Sequence, residues 1–169
     1  MTVCIESDPH IPQGTLPLAS KMFASIGVRI DWREHRCPVG VGAIVVSLSY
    51  GGPDSTVTSD LGFAQPYDGT HVVVFPDRVL RFDPYQRPCI LAHVLVHEIT
   101  HVLQRISRHS ATGIMKARWD HRDYVEMGRN TLPFTQEDID LIYAGLKMRQ
   151  ACLATARSVT ASLLTVASH

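Results

Sequence analysis

Residues 97–101 read HEITH and lie inside the run CILAHVLVHEITHVLQ, where nearly every other position is apolar. Ile90, Leu91, Val94, Leu95, Val96, Ile99, Val102 and Leu103 cover almost the whole circumference of a helix, the pattern of a central helix buried on most sides. Pro88 fits its first turn, where a missing N–H costs nothing, and the helix is expected to end near Leu103 or Gln104. Such a helix needs other elements packed around it. It also needs something to compensate its ionisable groups, because an unpartnered polar group in an apolar medium costs roughly 2–7 kcal/mol.

His97 and His101, four apart, lie on one helical face about 6 Å apart along the axis and rotated by roughly 40°, so both rings can reach one ion. Glu98 points toward the same cavity but too far round to be a natural third ligand. There it can accept a proton from an attacking water, the general-base role in metal-assisted hydrolysis. His93 extends the series but lies about 12 Å along the axis from His101, so it is read as a core histidine. Zinc suits an imidazole-rich open site, and a catalytic one takes three protein ligands. The third must come from beyond the helix. His109 is the nearest candidate, with Asp120, His121, Asp123 and Glu126 as substitutes.

The rest of the chain supplies the surroundings. TVCIE reads as a strand, residues from Thr15 have helical spacing up to Gly27, and VRIDW reads as a second strand, so the opening is β-α-β. VGAIVVSLSY and HVVVFPDRV are further strands, the latter stopped by Pro76. Between them, GFAQ can add a short strand at an edge of the sheet, in the stretch 59–66 (SDLGFAQP). Thr135 and Asp138 resemble a capping box before a helical face of Ile139, Ile142, Tyr143 and Leu146. Residues from Ala151 onward either prolong that helix or fray. One domain spanning 1–169 is expected, with the sheet and central helix in 1–104 and a smaller, mostly helical part in 105–169.

Composition excludes other classes. The 16 basic and 16 acidic residues cancel and aromatics make up 7%, which argues against nucleic acid or an anionic membrane surface as partner. No apolar stretch approaches the roughly 18 residues of a membrane span. MTVCIESD lacks the pattern of a secretion signal, which points to the cytoplasm, or to an extracellular place if the start is truncated. Cys4, Cys37, Cys89 and Cys152 form no CxxC pair; their even number permits disulfides, but cysteines so scattered are read in preference as buried thiols.

The stretch HEITHVLQRISRHSATGIM resembles the zincin metallopeptidases, most of all their metzincin branch and a group of small bacterial proteins with the same His-Ser and Gly-Ile-Met pattern after HExxH. The resemblance is strongest over residues 72–119. It implies an α+β, zincin-like fold, with a mixed twisted sheet packed on the active-site helix and a small helical C-terminal part. It also implies a Zn2+ cofactor held by His97, His101 and His109, Glu98 as base, Met115 in the turn beneath the metal, and a peptide or protein as substrate. The sequence does not identify the group that stabilises the oxyanion: Tyr124 is a candidate, with a buried structural tyrosine the favoured reading. The chain departs from the usual metzincin spacing: the positions three and six after His101 hold Gln104 and Ser107 rather than glycine and histidine. Two rival readings are a metal-binding protein without turnover and a zinc-stabilised interaction domain, which would need a fourth ligand from 120–126.

Overall fold

The computed structural model describes residues 1–6, 11–34, 42–50, 61–67 and 70–166. Five strands form one sheet in the order β2-β1-β3-β5-β4, where β1 is Thr2–Glu6, β2 Asp31–Glu34, β3 Ile44–Leu48, β4 Gly62–Ala64 and β5 His71–Val74. β1, β2, β3 and β5 run parallel, and only β4 is antiparallel to its neighbour. The sheet is therefore mixed, as expected of the zincin type. Val3, Cys4 and Ile5 are consecutively buried because β1 is covered on both faces, the usual condition of a parallel strand.

β2 begins three residues later than the VRIDW reading places it. Val28 and Ile30 are spent on returning the chain from the first helix, α1 (Thr15–Ala24), with Val28 N–H bonded to Phe23 O; pairing with the sheet starts only at Asp31 N–H, on Met1 O. β5 stops before Pro76, which opens a short helix α2 (Pro76–Val79) that the pattern of β-branched residues conceals. The HEITH helix, α3, spans Arg87–Gln104 with Pro88 in its first turn, and every residue from Ile90 to Gln104 is buried. It touches α1, α2, β4, β5 and both later helices, α4 (His121–Met127) and α5 (Gln136–Val166). The residues from Ala151 thus prolong α5.

Cys89 and Cys152 are free thiols, half-buried and exposed respectively rather than buried as read from the sequence. Cys4 is disulfide-bonded, contrary to the reading of all four cysteines as thiols; pairing across a fold leaves no spacing signal such as CxxC. Cys37 lies outside the described residues. No helix among the described residues is long and apolar enough to cross a membrane.

Candidate metal centre

His97 and His101 project from the C-terminal half of α3, and each is locked by a backbone carbonyl. His97 Nδ1–H donates to Ile114 O at 2.8 Å and His101 Nδ1–H to Ile106 O at 3.1 Å. A carbonyl can only accept, so both protons sit on Nδ1 and both Nε2 lone pairs are free to coordinate. Those Nε2 atoms face each other at 3.1 Å. Two nitrogens on a tetrahedral zinc, each about 2.0–2.1 Å from it, stand about 3.3 Å apart, so the pair has the spacing that ion asks for. Without a cation between them the two lone pairs repel.

Burial, with His101 close by, pushes the His97 pKa down to about 3. Burial, aided by His109 and opposed by the Ile106 hydrogen bond, pushes His101 down to about 4. Both rings are neutral at neutral pH, as metal ligands must be.

His109 completes the group: its ring lies 5.3 Å from that of His97 and 4.9 Å from that of His101, and one nitrogen from each of the three fits within 4.8 Å of the others. Among the described residues this is the sole cluster of three or more His, Cys, Asp or Glu side chains able to hold an ion. The donor set fits zinc. The glycine that eases this turn in metzincins is not needed, because Arg105 itself takes the left-handed conformation (φ 58°) and its N–H caps His101 O.

Of the four substitutes for His109, three are engaged elsewhere and the fourth is exposed. Asp120 caps α4 and forms a reciprocal capping box with Asp123, and Lys116 pairs with both carboxylates. Glu126 accepts from Asn130, and His121 is exposed in the first turn of α4. His93 belongs to the core as expected: its Nδ1–H donates to Cys89 O at 2.7 Å, and Leu132 N–H donates to its Nε2 at 3.1 Å.

Glu98 is buried at the edge of a cleft of about 390 Å³ that also takes in the three histidines. β4 passes directly over it. A Cβ at Gly62 would lie 3.0 Å from Glu98 Cγ and 2.9 Å from Val73 O, so glycine at 62 is what lets carboxylate and strand share the space. Ile114 and Met115 sit in a tight turn after His109, closed by Ser110 N–H on Met115 O, and Met115 is fully buried. Tyr124 lines the cleft against Trp119 and Phe82. Trp119, edge-on to His97 at 5.5 Å, had no signal in the sequence, since its role depends on the turn that brings residues 116–119 back to α3.

The sheet and central helix make a zincin-like fold, and beside them stands a histidine triad that could hold a metal ion. Among solved structures the chain is similar to archaemetzincin from Methanopyrus kandleri, with a TM-score of 0.62 and 15% identity over 87% of this chain and 96% of that one. At that identity the likeness speaks for the fold. No protein-family model matches the sequence, and no curated protein does.

Proposed function

We propose that this chain is a zinc-dependent peptide hydrolase, with His97, His101 and His109 as the metal ligands and Glu98 as general base. The observation that carries the reading is the pair of Nδ1-locked histidines whose Nε2 atoms converge at 3.1 Å with His109 beside them. When bound, zinc supplies a Lewis acid that polarises the scissile carbonyl and makes water acidic enough to deprotonate near neutral pH. Glu98 takes that water's proton on one carboxylate oxygen as the O–C bond forms, then hands it to the departing amine nitrogen as the C–N bond breaks. α3 and β4 hold the carboxylate in place, and Met115 is read as the turn methionine below the ligands. A peptide is the substrate favoured by the cleft, because β4 offers backbone groups beside the triad.

The rival reading of a zinc-stabilised interaction domain needs a fourth ligand from 120–126, where Asp120 and Asp123 are committed to capping α4 and to Lys116, Glu126 to Asn130, and His121 is exposed and outside the cluster of the three histidines. Incubating untagged, zinc-reconstituted protein with a mixed peptide library, with and without chelator, tests the proposal. Chelator-sensitive cleavage is expected. One bound zinc with no cleavage of any peptide would instead mark a binding protein.

A further inference from the structure

The loop that carries His109 ends, on both sides of the histidine, on one carboxylate. Asp138 is fully buried at the start of α5. Its Oδ2 accepts from Thr135 N–H at 3.0 Å while Asp138 N–H donates to Thr135 Oγ1 at 3.2 Å, which is the capping box, and the Thr135 hydroxyl also donates to Oδ2 at 2.6 Å. Its Oδ1 takes no part in the cap. That oxygen accepts from Ser110 Oγ at 2.7 Å and from Arg108 Nη1 at 3.1 Å, the two residues flanking His109. Arg108 also donates to Ser110 Oγ at 3.3 Å and pairs with Glu137. The last residue of α3 joins the same point, with Gln104 Nε2 donating to Asp138 O at 3.2 Å.

A helix cap needs one oxygen, and an apolar side chain could fill the rest of the space. A buried carboxylate with its second oxygen turned to the neighbours of one histidine is a device for placing that histidine. The loop needs it, since His109 is exposed and lies on no regular element.

We propose that Asp138 is the positioning residue of the third metal ligand: through Ser110 and Arg108 it fixes the backbone at His109 so that the ring stays beside His97 and His101. The inference rests on the reading of the triad as a metal site. His97 has a separate support in Ile114 O, so loss of the clamp acts on the His109 side of the site.

The test compares Ser110→Ala and Asp138→Asn with the parent and with His109→Ala. Zinc dissociation constants come from chelator competition, and amide hydrogen exchange of residues 105–110 is measured on metal-free protein. Ser110→Ala leaves the Oδ2 cap intact and serves if Asp138→Asn does not fold. Groups that orient a ligand are commonly worth about 10–100-fold in affinity, and losses in that range are expected for both variants, with faster exchange in the loop. In a His109→Ala background neither substitution should weaken zinc further. Additive losses in that background, or faster exchange with unchanged zinc affinity, would overturn the positioning role while leaving the metal site standing. A His109→Ala variant that binds zinc as tightly as the parent would refute the triad itself, and the role of Asp138 with it.

Discussion

Glu98 and His93 sit five residues apart on α3, and the structure gives them opposite fates. Glu98 faces the cleft, so Glu98→Gln keeps the shape and loses the basicity: zinc content and folding should match the parent while kcat falls by about 10²–10⁴ with little change in KM. Equal kcat in the two proteins would remove Glu98 from the reaction. His93 is bonded through both nitrogens inside the core. His93→Ala strands the Leu132 N–H, a loss of about 1–3 kcal/mol, and should lower stability without touching zinc affinity. Calorimetry set beside chelator competition separates these effects. A third consequence concerns pH. His93, His97 and His101 all have their pKa depressed chiefly by burial, so below 6.5 the unfolded chain binds protons that the folded chain refuses. The sign follows: stability of the metal-free protein is full above about 6.5 and declines as pH falls toward the depressed values. Urea midpoints should be lower at pH 5 than at pH 7.5, and equal midpoints would contradict the neutral, buried state of these rings.

At the scale of elements, α3 was legible because two signals agree over its length: an apolar circumference and a proline in the first turn. The Thr135–Asp138 cap was legible for the same reason, being local. α4 was not, although Asp120 and Asp123 stand at cap spacing, because seven mostly polar residues show no apolar period and their acids look like ligands. What local pattern cannot carry is contact between distant residues. The second oxygen of Asp138 reaches Ser110 from 28 positions away, and the sequence shows only its capping half. Gly145 is a further case. In the middle of α5 it reads as a weak helix former, yet α5 crosses α3 there, and a Cβ would fall 1.6 Å from Leu103 O. Gly145→Ala should raise helix propensity and still destabilise the protein, by about 1–3 kcal/mol or more, since backbone must move to admit the methyl. The displaced segment is Leu103–Gln104, at the root of the His109 loop, so zinc affinity is expected to drop as well. A variant as stable as the parent would mean that the helices separate freely at this crossing.

For the molecule as a whole, the sheet places its one antiparallel strand at the edge beside α3. Of the stretch 59–66, where GFAQ can add an edge strand, the structure describes 61–66, with β4 at the edge of the sheet and Gly62 making room for Glu98. The ladder decides where a peptide can bind. Phe75 N–H bonds Leu61 O and Gln65 N–H bonds His71 O, so in the antiparallel register Leu61, Phe63 and Gln65 turn their backbone groups to β5. Gly62 and Ala64 alternate with them and turn theirs outward, where no described strand pairs. An extended peptide added there would run antiparallel along the cleft, with its scissile bond carried over Glu98 and the triad. Ala64→Pro removes an outward N–H without taking a donor from the β4–β5 ladder, and proline is tolerated at such an edge position. KM for a cleaved peptide should rise several-fold, by about the worth of one hydrogen bond, 0.5–1.5 kcal/mol, while zinc content and melting temperature stay near those of the parent. Phe63→Pro, which takes a donor from the ladder itself, should lower the melting temperature instead. If Ala64→Pro leaves KM unchanged, the substrate does not pair with β4 and must be held by the opposite wall, around Trp119 and Tyr124.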